Sequence, residues 1–392
     1  VGKSALGKNT TASDNTALGA NSLLENTTGD QNTAVGADAL RLNVTGSQNT
    51  ALGKHALYNN TANNNTAVGR NALTQNTTGT NNTAVGVNAL DANTTSNNNT
   101  AIGLDALTTS SGANNTAVGK GAGAAITSGH TNTMVGHSAG AGATTTENSV
   151  LIGSFTGNAA MTGGSNTAVG IQALGNTTSG GTNTAIGRLA LSANTSGTDN
   201  TAVGHLAGDS ITTGINNTII GQGCDTAAGS ANAIALGHEV GTQSDYFYFG
   251  KSGNVVFNNF TANASWTRSS DERWKKDINA NTNLGLDFIN ALRTVTYKWK
   301  APSELDSTLS EYSADKTSAG YTNKMYGFIA QEVKQALDDN GVTDFSGWNI
   351  DATSPDDKQG VSYEMFVVPL VKAIQEQQAT ITALEARIAA LE

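Results

Sequence analysis

The sequence predicts a mainly β chain: a long parallel β-solenoid, then an α+β domain ending in a coiled-coil helix. Three observations carry this. A five-residue motif, Asn-Thr-Ala-Val-Gly or a close variant, recurs through residues 1–240. That stretch holds only two aromatic residues, Tyr58 and Phe155, so it cannot bury a core of large side chains. The C-terminal stretch, by contrast, repeats apolar residues every seven positions.

The repeat begins with Asn15-Thr16-Ala17-Leu18-Gly19 and Asn32-Thr33-Ala34-Val35-Gly36. Copies follow from Asn49, Asn65, Asn82, Asn99, Asn115, Asn166, Asn183 and Asn200, with degenerate ones at Asn132, Asn148, Asn217 and Asn232. The closing glycines, from Gly2 to Gly237, are spaced by 16 or 17 residues over fourteen intervals. Within each copy an Ala-Leu or Ala-Gly pair follows the glycine, as in Ala39-Leu40, Ala72-Leu73 and Ala139-Gly140. A polar turn such as Asn76-Thr77-Thr78-Gly79 closes the unit. Two short β stretches joined by Gly/Asn turns make one coil of a solenoid, because those turn residues accept positive φ. Stacked coils align Asn, Thr and Val into ladders and satisfy each backbone from its neighbours. At ~4.8 Å per rung, the fourteen intervals give a shaft roughly 67 Å long.

Composition agrees. Glycine accounts for 45 of 392 residues, and charged residues for 13%, against about 25% in ordinary globular domains. All three prolines and all four tryptophans lie beyond residue 260. The net charge of −10 leaves no basic face for nucleic acid. No apolar run reaches the length of a membrane span. Cys224 alone excludes a disulfide framework and reads as a small filler.

Several readings of the shaft fail on spacing. The five histidines keep no metal-ligand spacing and read as scattered solvent-facing residues, so no metal or cofactor is expected. Calcium nonapeptides need acidic repeats that are absent. Ice binding needs two regular Thr columns, whereas the turn threonines are expected to wander. Asn-x-Thr tripeptides match a glycosylation pattern, but repetition explains them.

Residues 241–269 form an aromatic tip or connector. Tyr246-Phe247-Tyr248-Phe249 and Val255-Val256-Phe257 flank a Gly-rich turn and predict a hairpin. Its aromatics suit either a receptor or glycan contact or, as the plainer reading, interchain packing that seals the end of a trimer.

From residue 270 to 392 the composition turns globular. Residues 283–292 have helical periodicity, and Val295-Thr296-Tyr297-Lys298-Trp299 alternates like a strand. Tyr326-Gly327-Phe328-Ile329-Ala330-Gln331-Glu332-Val333 leads into a helix that ends before Gly341. From about residue 364 a final helix carries a seam of Val367, Ile374, Ile381 and Ile388 with Leu370, Gln377, Leu384 and Leu391. Pro369 must sit in its first turn.

Three ordered matches then carry a family resemblance: Ser270-Asp271-Glu272-Arg273-Trp274-Lys275-Lys276-Asp277-Ile278, Gly327-Phe328-Ile329-Ala330-Gln331-Glu332-Val333, and Val361-Ser362-Tyr363. Together they resemble the intramolecular chaperone that ends phage tail fibres, tailspikes and endosialidases. The repeats resemble the heads of trimeric autotransporter adhesins, whose coils form a left-handed β-roll in three chains. These resemblances imply a homotrimeric phage tail fibre that attaches to a host receptor or glycan, located in the virion tail. The alternative is a bacterial surface adhesin carrying the same chaperone. A polysaccharide-degrading tailspike is disfavoured, since the shaft lacks a carboxylate pair placed for glycoside hydrolysis. The chain opens inside a repeat without Met, so an upstream virion-attachment segment is expected beyond it.

The resemblance also implies self-cleavage between Ser269 and Ser270, with Ser270 as nucleophile and Lys275 as base; Lys276 is the weaker candidate. A Ser hydroxyl needs a base within hydrogen-bond reach, and a lysine amine serves at neutral pH only where burial depresses its pKa. Gln331 and Glu332 are candidates for orienting the lysine or holding the oxyanion, with a structural role the alternative. No external substrate is expected.

Overall fold

The structure, a computed structural model, describes residues 2–259, 267–268, 272, 275–318, 324–350 and 356–391. It divides into two compact units, Val1–Ser270 and Asp271–Glu392.

The first unit is a parallel β-solenoid. Strands β1 (Thr16–Leu18) to β13 (Thr218–Ile220) each hold three residues and stack in sequence order into one parallel sheet. On most rungs Thr pairs with Thr and Ala with Ala, and the third position pairs Val, Leu or Ile with one another. The central Ala is fully buried, while the residues either side face outward. A two-residue strand β14 (Asp225–Thr226), then β15 (Ile234–His238) and β16 (Gly241–Thr242), complete the parallel stack.

Two columns, one buried and one half-buried, hold the coils together. In the first, Asn32 donates its backbone N–H to Asn15 Oδ1 (2.9 Å) and its side-chain amide to the Gly46 carbonyl (2.8 Å). Asn82 repeats both bonds with Asn65 and Ser96, at 2.9 Å each. A buried amide that satisfies donors and acceptors on two rungs is stabilising; an unpaired one would cost about 1–3 kcal/mol. Asn148 and Asn232 are not in this column. They sit one residue early, in left-handed backbone, and Ser149 and Ala233 take the ladder position. Ser149 still offers an acceptor, to the Asn166 N–H at 3.2 Å, which is why the column survives the substitution.

The second column is glycine. From Gly19 to Gly250 the repeat glycines have φ of +125 to +140°, and a Cβ on Gly136 would lie 2.5 Å from the Gly153 carbonyl oxygen. No other residue fits. The turn threonines also stack, contrary to expectation. Thr61 and Thr77 hydroxyls donate to carbonyls of the next rung (3.0 and 2.9 Å), so those hydroxyls bind the shaft to itself rather than forming a free array.

The interior is filled by leucines in left-handed backbone: Leu23, Leu40, Leu57, Leu73, Leu90, Leu107, Leu174 and Leu191 are buried at φ of +49 to +52°. Left-handed backbone costs an L-residue about 1–2 kcal/mol, which burying a leucine, at about 1.5–3 kcal/mol, offsets. Where the column carries Gly123, Gly140, Gly157 and Gly208 instead, larger residues fill the space from elsewhere in the coil. Met134 and Leu151 replace the small strand Ala beside Gly140, and Ile211 replaces the turn Asn beside Gly208.

The last rung is the aromatic hairpin, strands β17 (Tyr246–Lys251) and β18 (Asn254–Asn259), to which β19 (Thr267–Arg268) adds antiparallel. β17 pairs parallel with β15, Ile234 opposite Phe247. Tyr248 and Val255 pack against the shaft core, and Tyr248 stacks on Phe257 at 4.9 Å. The hairpin therefore covers the end of the solenoid within its own chain.

The second unit is α+β. It contains helix α1 (Leu286–Ala291), hairpin strands β20 (Val295–Tyr297) and β21 (Met325–Gly327), helix α2 (Ala330–Asp339), strands β22 (Trp348–Ile350) and β23 (Gln359–Val361), and helix α3 (Val367–Ala389). Gly341, at φ +65°, ends α2: its N–H donates to the Asp338 carbonyl and the Val342 N–H to the Leu337 carbonyl, the paired bonds of a Schellman cap. Phe288, Val333, Leu337 and Phe366 form the core, with Phe366 against Phe328 (5.2 Å) and Phe345 (5.3 Å). Pro369 lies in the first turn of α3 and is buried.

Candidate active site

Ser269, Ser270, Asp271, Arg273 and Trp274 lie outside the described residues, so the nucleophile and the scissile bond have no geometry here. Of the N-terminal signature, Lys275 and Lys276 are described. Both side chains are exposed, and the Lys275 backbone N–H donates to the Glu272 carbonyl at 3.0 Å. In a single chain the candidate base thus stands at the surface.

The two support candidates differ. Gln331 is exposed in the first turn of α2. Glu332, next to it, takes a two-point pairing from Arg293: Nε donates to one carboxylate oxygen at 3.1 Å and Nη2 to the other. That pairing holds the Glu332 carboxyl below the usual carboxylate range and raises the Arg293 guanidinium. It ties α2 to the segment after α1. The pair is open to solvent, which screens it, so it contributes little to stability.

The structure joins the other two signature elements directly. The Tyr363 hydroxyl accepts from the Phe328 N–H at 3.2 Å, and the two rings stack at 5.7 Å. Gly327 is required beside them, since a Cβ there would lie 2.1 Å from the Tyr363 hydroxyl. The Gly-Phe-Ile and Ser-Tyr motifs are therefore two halves of one packing unit, separated by 35 residues. Sequence reading found both halves but not their contact; the signal was an apolar motif that tolerates only glycine at one position.

A further contact missed in the sequence fixes α1 on α3. Glu376 Oε2 accepts the Leu286 backbone N–H at 2.7 Å, at the N-terminus of α1, and Lys372 pairs with the same carboxylate at 3.2 Å. The backbone bond, then the lysine, hold the Glu376 carboxyl below its usual range. Glu376 is the capping group that α1 lacks locally, its own N-cap being Gly285.

Among the described residues there is no cluster of His, Cys, Asp and Glu suited to a metal, and no helix is long and apolar enough to cross a membrane. Searches of curated proteins and of solved structures returned no match. Residues 270–342 match the family described as chaperone of endosialidase, and this matched stretch follows a β-solenoid of about 14 turns.

Proposed function

We propose that the chain is the precursor of a homotrimeric phage tail fibre whose C-terminal domain assembles three copies and then cuts itself away. The observation that carries this is a pair of uncovered apolar seams in one chain whose C-terminal domain matches a chaperone family. On the shaft, the third strand position repeats Leu18, Leu52, Ile102, Ile152, Ile186 and Ile220, all 38–52% exposed. On α3, Val367, Leu370, Ile374, Ile381, Leu384 and Ile388 are exposed as well, as is Leu391 just past its end. Both rows run parallel to their element's axis, as a lateral interface between parallel copies requires. The α3 seam alone, with Ile at a and Leu at d, leans to two strands; three copies come from the resemblance to trimeric fibres.

The chemistry follows from adjacency. Lys275 removes the proton from Ser270 Oγ, which attacks the Ser269 carbonyl carbon. The tetrahedral intermediate collapses as the Ser269–Ser270 C–N bond breaks, and Lys275 returns the proton to the leaving amine. The product is an ester of Ser269 on Ser270 Oγ. Water hydrolyses it, leaving a shaft that ends in the Ser269 carboxylate and a domain that begins with Ser270. Lys275 is exposed in one chain, so its activation requires cover from neighbouring copies, which couples cutting to assembly. The freed shaft serves attachment to a host surface.

Parent chain and Ser270→Ala, each purified and run denatured on a gel, test the reading. The parent should give two fragments meeting at Ser269–Ser270 and the variant one band. An intact parent in a preparation whose light-scattering mass is that of a trimer would overturn it.

A further inference from the structure

A second amide column runs inside the shaft, built from the turn asparagines. Asn26 donates its side-chain amide to Asn9 Oδ1 (3.0 Å), Asn43 to Asn26 (3.1 Å), Asn60 to Asn43 (3.4 Å), Asn76 to Asn60 (2.7 Å) and Asn93 to Asn76 (3.0 Å). From Asn26 to Asn93 every member is fully buried. On the next rung the column carries Ser110, and on the one after it Ile126, both fully buried as well. The backbone keeps the register: Asn93 donates its N–H to the Leu90 carbonyl, Ser110 to Leu107 and Ile126 to Gly123, at 3.1 Å each.

Two coils of sixteen residues show what the serine changes. In the coil from Gly53 to Gly69, three groups converge on one carboxamide. The Ala62 carbonyl accepts from Asn60 Nδ2 and from Asn49 Nδ2, at 2.8 Å each, and Asn43 Oδ1 accepts from the same Asn60 amide. The coil from Gly103 to Gly119 has the same length, and Ser110, Gly112, Asn99 and Asn93 stand where Asn60, Ala62, Asn49 and Asn43 stand. Here Asn93 Oδ1 and Asn99 Nδ2 have no hydrogen-bond partner among the described residues, although both side chains are fully buried. The Gly112 carbonyl takes a long bond from the Ser110 hydroxyl, at 3.4 Å. Buried amide atoms left unpaired destabilise a fold, and native interiors pair them with protein or with ordered water.

We infer that this junction binds one buried water. A serine side chain falls short of an asparagine by about the room a water needs. A water standing where the Asn60 amide nitrogen stands in the other coil donates to Asn93 Oδ1 and to the Gly112 carbonyl, and accepts from Asn99 Nδ2. About three such bonds are the usual complement of a buried water. The Asn99 donor excludes a cation, which has no lone pair to offer it. The water caps the amide ladder where the core passes to Ile126, so neither the last amide nor Asn99 ends on an apolar surface. The column's other orphaned acceptor, Asn194 Oδ1, has Ile211 on the next rung, a larger residue that takes up this room. The site depends on neither cutting nor attachment.

The test compares the full-length parent with Ser110→Asn and Ser110→Val, by crystallography at a resolution that shows waters and by guanidinium unfolding at matched protein concentration. The parent should show one oxygen peak within hydrogen-bond distance of Asn93 Oδ1, Asn99 Nδ2 and the Gly112 carbonyl. Ser110→Asn should displace that peak with its own amide and unfold no more easily than the parent. Ser110→Val fills the room without a donor and should lower the folding equilibrium constant by roughly five- to a hundredfold. No peak in the parent, a peak that persists beside the Ser110→Asn side chain, or a Ser110→Val shaft as stable as the parent would each overturn the inference. So would an anomalous signal at the site in parent crystals grown with rubidium chloride, which marks a cation.

Discussion

The volume exchange inside the shaft gives the sharpest test of how this sequence builds its core. In most coils a buried leucine in left-handed backbone faces a small strand alanine. Around Gly123 and Gly140 the arrangement is inverted: a Cβ on Gly123 would lie 2.8 Å from Met134 Cε and 2.9 Å from Leu107 Cδ2, and one on Gly140 would lie 2.8 Å from Met134 Sδ. Met134 thus occupies the space that the leucine takes elsewhere. Met134→Ala should open a cavity and cost about 2–5 kcal/mol per chain. Gly123→Leu alone should overpack against Met134 and cost about 1–3 kcal/mol. The double variant recreates the Leu/Ala pairing of the other coils and should lie within about 1 kcal/mol of the parent, a coupling of at least 2 kcal/mol in favour of the pair. Guanidinium unfolding followed by circular dichroism reads all four corners of the cycle. A double variant as unstable as the two single costs added together would refute the idea that one volume is being exchanged between two positions.

Four further outcomes follow. Gly136→Ala should abolish a folded shaft, since it forces a Cβ to 2.5 Å from the next carbonyl at φ +137°, whereas Gly241→Ala, with nothing within 4 Å, should change the unfolding free energy by no more than about 0.5 kcal/mol. The Glu376 carboxyl titrates below its unfolded value, so its cap on α1 is fully present above the unfolded carboxylate range and is lost as pH falls through the folded value; hydrogen exchange at the Leu286 amide should accelerate on acidification in the parent and be fast and pH-insensitive, beyond intrinsic exchange, in Glu376→Ala. Ile374→Asp with Leu384→Asp should yield monomers that stay uncut, read by light scattering and a denaturing gel; efficient cleavage of monomers would break the link between assembly and cutting. Glu332→Gln should keep self-cleavage within a few-fold of the parent, because its carboxylate serves Arg293; complete loss would restore it as a catalytic candidate.

The second unit separates local from long-range information. Helix α2 was readable because Gly341 marks its end and an apolar face precedes it; α3 was readable from its seven-residue period. Neither pattern says that Glu376 would cap α1 across 90 residues, or that Tyr363 would accept from Phe328. Those bonds depend on how the chain returns, and no local propensity encodes a return. The nucleophile's surroundings were legible only as a family signature, because a Ser–Lys spacing by itself constrains no geometry.

In the shaft, the sequence by itself determined the architecture. A 16–17-residue period, buried small residues and a glycine that only left-handed backbone explains leave a stacked parallel coil as the one way to satisfy every rung. Tertiary structure alone decided the register, moving the Asn148 and Asn232 copies by one residue. It also decided where the core volume sits. The physical reason is the same in each case. Period specifies that rungs stack, but only contact between rungs selects which side chains meet.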